Sequence, residues 1–424
     1  MNQKVLILLL LASSTGQADD WPQWGGPQRD IVWRESGIVE RLPTDGLLPR
    51  VWSVPVAEGY SGPAVADGRV FLTDRQPAEQ NERVLCFDAD TGQELWKKSY
   101  PARYTISYPA GPRATPVVDE GRVYTIGAIG QMYCLQADTG EEIWEKDFQQ
   151  DYGTRLPIWG MAAAPLVDGQ RLITLVGGSD GALVVAFDKS TGRELWRSLE
   201  DETVGYCPPV IYEFGGRRQL IIWHPSAVSS LDPETGDVIW QMPWQIRSGL
   251  TIPMPRQSGD HLFLTAFYNG PLMLKVGADQ AEVVWRGRSN SEQEDKTDGL
   301  HSIMPTPWVN SDNIFGVCSY GQLRGLDAAT GERLWETTEA TGRGRWWNAF
   351  IIPHEDRFFL HNEQGDLIIA RLSSDGYTEL SRAKLVEPTR KVQRRMTIWS
   401  HPAFAMQSVF ARNDRELVRV SLAK

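Results

Sequence analysis

A ten-residue stretch recurs along this chain and limits the folds it can adopt more than any other feature does. Residues 87–96 read Phe-Asp-Ala-Asp-Thr-Gly-Gln-Glu-Leu-Trp. Copies that keep Thr-Gly-x-x-x-Trp end at Trp144, Trp196, Trp240 and Trp335, and a degenerate copy ends at Trp285. The pattern is typical of a β-hairpin in which Asp and Thr oxygens accept from turn amides while Gly adopts a positive φ. Each copy therefore predicts a tight turn followed by a strand that carries a tryptophan.

The spacing of these tryptophans indicates a repeat architecture. Successive motif tryptophans lie 44 to 52 residues apart, close to the length of a four-stranded propeller blade. Two more positions extend the series, because Trp52 lies 44 residues before Trp96 and Leu380 lies 45 residues after Trp335. We therefore predict an all-β fold, an eight-bladed β-propeller of four-stranded antiparallel blades. The tryptophans predicted to be structural wedges between blades are Trp52, Trp96, Trp144, Trp196, Trp240, Trp285 and Trp335.

The repeat also resembles that of a known superfamily. Its pattern, Leu/Phe-Asp-Ala-x-Thr-Gly-x-x-x-Trp, is similar to the tryptophan-docking repeat of PQQ-type β-propellers. The superfamily contains quinoprotein dehydrogenases and also non-enzymatic relatives similar to the outer-membrane assembly propeller BamB. Because both branches share the motif, the resemblance implies the fold but does not choose between an enzyme and a binding module.

The two ends of the propeller are predicted to meet in one blade. Residues 50–54 have a strand pattern with no partner before it, and the last 44 residues, after Leu380, lack both a Thr-Gly turn and a Trp strand. We expect residues 50–54 to pair with residues 416–422, which removes the open sheet edges. The predicted organisation is a signal peptide over residues 1–18, an irregular arm on the propeller surface over 19–49, and a single propeller domain over 50–424.

The start of the sequence indicates export. Lys4, an apolar run over residues 5–12 and small residues ending at Ala18 match the three regions of a secretory signal, with cleavage after about Ala18. The alternative is a disordered apolar tail. We expect a periplasmic or secreted protein without a membrane span, because no apolar run reaches the length of a transmembrane helix. Lipid anchoring is not supported, since no cysteine precedes Cys86.

Charge and cysteine content exclude some partners. The formal net charge is -11, with no basic footprint of the kind that nucleic acid requires, so no nucleic-acid partner is expected. The four cysteines are predicted to be buried free thiols, because Cys86 and Cys134 fall on matching strands of successive blades, roughly 10 Å apart. None has zinc-ligand spacing. The sequence indicates no particular oligomeric state.

One face of the propeller is predicted to carry the function. In a four-stranded blade the first and third turns lie on one face, and here they are short, as at Asp67-Gly68 and Asp168-Gly169. The opposite face carries every long insertion, and such loops are commonly functional. The insertions span residues 74–82, 100–112, 148–159, 289–300, 337–345 and 384–395. We expect a protein or small-molecule ligand at the channel mouth on this long-loop face.

Aromatic and cationic residues cluster where the first strands begin on that face. Aromatic rings can stack on a ligand, and arginines can pair with a carboxylate. The predicted ligand-binding residues are Tyr60, Arg113, Trp159, Tyr206, His301, Arg345, Trp346, Trp347 and Trp399. The alternative is that the rings cap the core and pack the inserted loops, with residues 343–347 forming a solvated loop.

No catalytic or metal-binding residue is predicted. The six histidines show no pair at metal-binding spacing, and no hydrolase signature surrounds Asp298, His301 and Ser302, which could otherwise be drawn as a triad. The quinoprotein branch implies PQQ, a calcium site of acidic and amide side chains, a catalytic Asp base and, in its alcohol dehydrogenases, adjacent cysteines. This chain lacks adjacent cysteines. We expect a non-catalytic binding or scaffold module with no cofactor; the alternative is a PQQ- and calcium-dependent quinoprotein dehydrogenase.

Overall fold

The computed structural model describes residues 19–424, so the predicted signal peptide lies outside the described residues. Within them, 32 of 34 strands form eight four-stranded sheets whose neighbouring strands all pair antiparallel. Seven sheets follow chain order from the innermost strand outward, and the eighth takes its outermost strand from the start of the chain. The predicted all-β, eight-bladed propeller is confirmed.

The strands of the first four blades are as follows. They are, in blade 1, Ala64–Ala66, Arg69–Gln76, Asn81–Asp88 and Glu94–Pro101; in blade 2, Val117–Asp119, Arg122–Ile126, Gln131–Gln136 and Glu142–Asp147; in blade 3, Leu166–Asp168, Arg171–Leu175, Val184–Asp188 and Glu194–Ser198; and in blade 4, Val210–Phe214, Arg217–His224, Ala227–Leu231 and Val238–Pro243.

The remaining blades and smaller elements complete the chain. The strands are, in blade 5, Arg256–Ser258, His261–Ala266, Gly270–Val276 and Ala281–Arg286; in blade 6, Trp308–Val309, Asn313–Val317, Leu323–Asp327 and Arg333–Thr337; in blade 7, Ala349–His354, Arg357–Asn362, Asp366–Ser373 and Gly376–Lys384; and in blade 8, Ala403–Ala405, Ser408–Arg412, Glu416–Ser421 and Trp52–Pro55. Outside the blades are one hairpin (Arg390–Val392 with Arg395–Thr397), the helix Phe148–Tyr152, and 3₁₀ turns at Arg247–Gly249 and Glu294–Lys296.

Blade 8 closes the ring as predicted. The strand Trp52–Pro55 pairs antiparallel with Glu416–Ser421, and Trp52 lies opposite Arg419. Arg50, just before the strand, forms an ion pair with Glu416. The N-terminal strand therefore covers an edge that would otherwise stay open.

Each blade is tied to the next by a motif tryptophan. The Trp96 ring packs on Gly140 in the next blade's turn, where φ is 73° and an added Cβ would lie 2.5 Å from the ring. The Trp96 indole N–H donates to the carbonyl of Ala137, three residues before that glycine, at 3.0 Å. The same bond to the third residue before the turn glycine is made by Trp52, Trp144, Trp196, Trp285 and Trp335. Only glycine combines the positive φ with such a close approach of the ring.

Trp240 is the exception, because the turn it faces in blade 5 is the degenerate copy. Its indole N–H donates to Gln219 Oε1 at 2.7 Å. The Nε2 of Gln219 donates in turn to the carbonyl of Gly277 in the blade 5 turn, also at 2.7 Å. Gln219 is fully buried. Its amide therefore relays a contact that the other tryptophans make directly.

The first part of the N-terminal arm, residues 19–35 of 19–49, packs into the propeller, which corrects the expectation that the arm lies on the surface. Trp21 is 2% exposed and pairs with Val65 of the innermost strand of blade 1. Trp33 is 1% exposed, and its amide donates to the carbonyl of Pro353 in blade 7 at 3.0 Å. The burial of these two large rings stabilises the arm inside the protein and explains the difference.

Arg29 fixes the middle of the arm between two blades. Its guanidinium donates to the carbonyls of Ala164 at 2.8 Å, Pro165 at 2.9 Å and Pro209 at 3.0 Å. Burial lowers the pKa of Arg29 to about 10, so the side chain stays charged at neutral pH. The arm thus crosses from blade 1 to blades 3 and 4 and returns to blade 7, closing the channel below its mouth.

Two of the insertions predicted on the long-loop face contain β-hairpin structure. Residues 74–82 are not a long loop, because two blade 1 strands run through them to a tight turn at residues 77–80. Opposite charges face each other in this hairpin: Asp74 lies across from Arg83, and Arg75 from Glu82. The ion pair of Asp74 with Arg83 and the burial of Asp74, Arg75 and Glu82 favour strand over loop. The insertion over residues 384–395 also has structure, since it includes most of the extra hairpin.

Candidate functional site

A cavity of about 270 Å³ lies at the channel mouth on the long-loop face, where the inner strands of the blades begin. Its ten aromatic lining residues are Trp24, Tyr60, Tyr108, Trp159, Tyr206, Phe267, Tyr268, Trp346, Phe350 and Trp399. The other lining residues are Arg113, Thr115, Ala162, Ala164, Pro208, Ser248, Leu250, Ile252, Ile303, Met304 and His401. The lining therefore contains six of the nine predicted site residues: Tyr60, Arg113, Trp159, Tyr206, Trp346 and Trp399.

One wall of the cavity is a continuous row of aromatic rings. Trp399 stacks on Tyr60 with ring centroids 6.3 Å apart and planes inclined by 29°. Its other neighbour is Tyr108, at 5.7 Å, and Tyr108 meets Trp346 edge-on at 6.3 Å. Such aromatic pairs stabilise one another beyond the area they bury. The wall therefore presents a pre-formed surface on which a flat or apolar group can pack.

Two arginines flank Tyr60 in that wall. The guanidinium carbon of Arg113 lies 5.1 Å from the Tyr60 ring centroid, and that of Arg390 lies 4.9 Å from it. Arg113 also donates to the carbonyls of Ser107 at 3.0 Å and Tyr108 at 2.6 Å. Arg113 therefore holds the loop that carries Tyr108 while adding positive charge to the cavity lining.

Three lining residues occupy the left-handed region of backbone space although none is glycine. Their φ values are 53° at Tyr108, 60° at Ser248 and 71° at Trp346. Each lies on a different inter-blade connection, and a bulky residue with positive φ is uncommon and strained. The strained positions are thus the loop residues whose side chains line the cavity. Local sequence gives no signal for it, because a loop of aromatic and polar residues does not reveal which one adopts this conformation.

Glu363 anchors the Trp399 side of the wall. It is fully buried and accepts from the Trp399 indole N–H and from the Asn348 amide, both at 3.2 Å. Arg395, in the extra hairpin, forms an ion pair with the same carboxylate. Burial raises the pKa of Glu363, and its bonds to Arg395 and Trp399 oppose that rise. One carboxylate thus connects the hairpin, the blade 7 entry and the cavity wall.

His401 and Thr115 form a polar pair in the lining that the sequence analysis missed. Thr115 Oγ1 lies 2.7 Å from His401 Nε2. Burial lowers the pKa of the His401 imidazole to about 4, so the ring is neutral at neutral pH. Trp24 of the arm meets His401 edge-on, with ring centroids 6.2 Å apart, and contributes to the cavity floor. Trp24 was missed because the arm was expected on the surface.

A proline directly before the innermost strand of several blades, as at Pro116, Pro165, Pro209 and Pro402, supplies a sequence signal for some of the missed residues. Four lining residues immediately precede such a proline, and they are Thr115, Ala164, Pro208 and His401. The residue before proline is restricted to extended backbone. In blades 2, 3, 4 and 8 that residue lines the cavity, whereas Gly62, Met254 and Thr306, which precede the prolines of blades 1, 5 and 6, do not. The prolines could therefore have located part of this inner ring.

Three predicted residues do not line the cavity. His301 is fully buried and lies 3.2 Å from the Phe267 carbonyl and 3.1 Å from Asp298 Oδ1. The same contact helps to lower the pKa of Asp298 to about 2. Ser302 donates to the carbonyl of Val317 at 2.8 Å, so its hydroxyl is not directed to His301 and no triad forms.

Arg345 and Trp347 lie beside the cavity rather than in its lining. Arg345 lies over the Trp346 ring at 4.7 Å and donates to Tyr268 Oη at 3.0 Å and to Glu292 at 3.1 Å. Trp347 packs against Gly342, where an added Cβ would lie 2.0 Å from its ring. Arg345 therefore holds the lining residues Tyr268 and Trp346 in place, and neither Arg345 nor Trp347 lines the cavity.

The side chains that line the cavity do not provide the oxygen ligands that calcium beside PQQ would need. Calcium takes six to eight oxygen ligands, largely carboxylate and amide oxygens. The lining contains no Asp, Glu, Asn or Gln. Across residues 19–424, moreover, no group of three or more His, Cys, Asp and Glu side chains is arranged to hold a metal. All four cysteines are buried free thiols, which also excludes a disulfide beneath a cofactor.

Comparison with known proteins identifies the family of this chain. A family model described as "Outer membrane protein assembly factor BamB" matches residues 43–107, 80–222 and 224–423. The chain belongs to this family. The PQQ-type resemblance predicted from the repeat is therefore confirmed. No curated protein sequence matches the chain significantly.

Solved structures of both branches share the fold. BamB from Moraxella catarrhalis is 15% identical with a TM-score of 0.60, and the match covers 88% of this chain and 97% of that one. Quinohemoprotein alcohol dehydrogenase from Comamonas testosteroni is 13% identical, with a TM-score of 0.61 and coverage of 95% and 80%. A europium-containing methanol dehydrogenase is 12% identical, with a TM-score of 0.63 and coverage of 95% and 89%. At these identities the likeness establishes the fold alone. No helix in residues 19–424 is long and apolar enough to cross a membrane.

Proposed function

We propose that this protein is an exported, non-catalytic binding module whose long-loop face takes up an apolar, ring-containing group carrying a negative charge. The observation that carries the proposal is the cavity lining, with ten aromatic residues, one arginine and no carboxylate. A largely apolar, pre-formed pocket with a few polar groups is the usual form of a ligand site. The group belongs either to a small molecule or to a segment of a protein partner.

The charge preference rests on two arginines. Arg113 lines the cavity and directs its hydrogen bonds to backbone carbonyls. The guanidinium of Arg247, which precedes the lining residue Ser248, lies 4.4 Å from the ring centroid of Tyr268, another lining residue. Neither arginine forms an ion pair within residues 19–424, whereas Arg390 pairs with Asp414 and Arg345 with Glu292. Two cations without an ion-pair partner, on a protein with a formal net charge of -11, favour an anionic ligand.

The alternative, a quinoprotein dehydrogenase, is disfavoured by the chemistry of the lining. A dehydrogenase of that kind needs calcium ligands and a carboxylate base beside the quinone, and the lining offers neither. The neutral His401 beside Thr115 is the lining's only imidazole. We therefore propose that no PQQ is bound and that no alcohol or aldose sugar is oxidised. Acceptor reduction that requires both PQQ and calcium in the purified protein would overturn this.

The test uses two fluorescent dyes that differ by one charged group. Anilinonaphthalene sulfonate is aromatic and anionic, and N-phenylnaphthylamine has the same rings without the sulfonate. We expect both to bind the mature protein, the sulfonate more tightly. Trp346→Ala should weaken binding of both dyes about tenfold, because it removes a wall ring that contacts the ligand. Trp347→Ala is the matched control, since this neighbouring tryptophan lies outside the lining.

The dye results also discriminate between explanations. Equal weakening by both substitutions would mean that the loop, rather than the cavity, determines binding, and the proposed site would be wrong. Tighter binding of the neutral dye would contradict the anionic preference. To separate the two sources of ligand, the exported protein fraction is passed over the immobilised protein and over its Trp346→Ala variant. A protein retained by the first and lost by the second indicates a protein partner, and a bound small molecule is sought in the solvent extract.

A further inference from the structure

Glu35 is a buried carboxylate in the N-terminal arm without a side-chain cation. It is 7% exposed, and its Oε2 accepts from the Trp33 indole N–H and from the Gln407 amide, each at 2.9 Å. No Lys, Arg or His side chain in residues 19–424 lies within ion-pairing distance of it. Burying a carboxylate is costly unless an opposite charge or strong donors compensate. Glu35 is compensated by N–H donors alone, so a positive charge placed beside it would stabilise it further.

The second oxygen of this carboxylate faces the backbone nitrogen of Asp19. The nitrogen lies 3.2 Å from Glu35 Oε1. In the unprocessed chain it belongs to a neutral amide. Hydrolysis of the Ala18–Asp19 bond consumes one water, leaves a carboxylate on Ala18 and turns this nitrogen into an α-ammonium group. An α-ammonium group forms a shorter and stronger hydrogen bond to a carboxylate than a neutral amide does. The contact between Asp19 N and Glu35 Oε1 then becomes an ion pair.

We propose that the processed N-terminus is a built-in structural site: the α-ammonium of Asp19 pairs with the Glu35 carboxylate and fastens the arm inside the propeller. The pair joins the two ends of the segment 19–35. The middle of this segment supplies Trp24 to the cavity floor and Arg29 to blades 3 and 4. Cleavage after Ala18 would therefore strengthen the attachment of the segment that carries Trp24 and Arg29. This inference does not depend on which ligand the cavity takes.

The test compares mature chains that differ at their first residue. One begins at Asp19, a second keeps Ala18, and a third begins at Asp19 with an acetylated amine; each is released from a fusion that leaves the chosen residue first. Keeping Ala18 moves the ammonium about 3.8 Å along the chain, and acetylation removes its charge. We expect both to lower the melting temperature by about 1 to 3 °C and to speed proteolytic cleavage of the arm.

Glu35→Gln supplies the decisive comparison. In this variant the three chains should melt at the same temperature, because the charge partner is gone. Glu40→Gln is the matched control: Glu40 is another arm glutamate, paired with Lys424, and the differences among the three chains should persist. If Glu35→Gln does not fold, Glu35→Asp is used, and the differences should shrink.

Three results would overturn the proposal. The first is equal melting of the three chains with Glu35 intact. The second is the same differences in Glu35→Gln. The third is a mature N-terminus other than Asp19 by mass spectrometry of the exported protein. Dye binding is measured as a separate experiment. If the proposed ligand site is wrong, the melting temperatures of the three chains still test the pairing of the N-terminus with Glu35.

Discussion

The indole N–H of Trp96 donates to the carbonyl oxygen of Ala137 at 3.0 Å, across the boundary between blades 1 and 2. The ring also covers Gly140 in the same turn. One side chain therefore satisfies a turn carbonyl of the next blade and packs against its glycine. Because this unit recurs around the ring, the propeller's stability depends on boundaries that can be tested one at a time.

Trp144→Ala should lower the free energy of unfolding by about 3 to 5 kcal/mol, the usual loss for a buried large aromatic. The Trp144 ring packs on Gly192, and its indole N–H donates to the Lys189 carbonyl at 3.1 Å. Trp144→Phe keeps most of the packing and removes the hydrogen bond, so it should cost less. Urea unfolding measures both. A loss below about 1 kcal/mol for the alanine variant would show that the ring is not a wedge between blades.

Gln219→Leu should destabilise the boundary between blades 4 and 5 by about 2 to 3 kcal/mol. The change leaves the Trp240 indole N–H and the Gly277 carbonyl without the partner that now joins them. Unsatisfied buried polar groups cost about 1 to 3 kcal/mol each, while leucine recovers some packing. Gln241→Leu in the same blade is a control outside this relay. The relay would be refuted by equal chemical-denaturation midpoints for Gln219→Leu and the unaltered protein.

Acid should destabilise the propeller through His361. Its imidazole is 1% exposed, and burial lowers its pKa to about 4. The unfolded state, with a pKa of about 6.5, binds a proton that the folded state does not. The free energy of unfolding therefore falls as pH falls from about 6.5 toward 4. His361→Gln should flatten that part of the profile by about 2 to 3 kcal/mol. An unchanged slope in the His361 variant would contradict this account.

Glu363→Gln should loosen the cavity wall as well as the fold. The substitution removes the charge that Arg395 pairs with but keeps an oxygen for the Trp399 indole N–H. Breaking an ion pair on a fully buried carboxylate should cost about 2 to 4 kcal/mol. The exposed pair of Glu379 with Arg382 is the matched control, and Glu379→Gln should cost under about 1 kcal/mol. Urea unfolding and dye affinity are measured together; no change in either would remove Glu363 from its anchoring role.

The repeat motif made the fold predictable, because one pattern encodes both a turn and the tryptophan that docks on the next turn. The motif also predicted how the ring of blades closes. Residues 50–54 form a strand without a local partner, and the last blade lacks its Trp strand, so each supplies what the other needs. The site was only partly predictable. Six of the nine predicted residues line the cavity. His301, for example, is buried against Phe267 and Asp298 and does not reach the cavity. The sequence does not distinguish a ring that faces the channel from a ring that packs behind the lining. Trp24 and the left-handed conformation of Trp346 depend on tertiary packing.

Trp24→Ala tests whether the ligand reaches the cavity floor. Trp24 is half-buried, and its ring meets His401 edge-on, with ring centroids 6.2 Å apart. Removing the ring deepens the cavity and takes away apolar surface at its base, so we expect about tenfold weaker dye binding. Trp244→Ala is the control, because Trp244 is also half-buried but stacks on Trp223, 5.5 Å away, outside the lining. Unchanged affinity in the Trp24 variant, together with a loss in Trp346→Ala, would place the ligand at the rim instead, and the arm would then serve only to seal the channel.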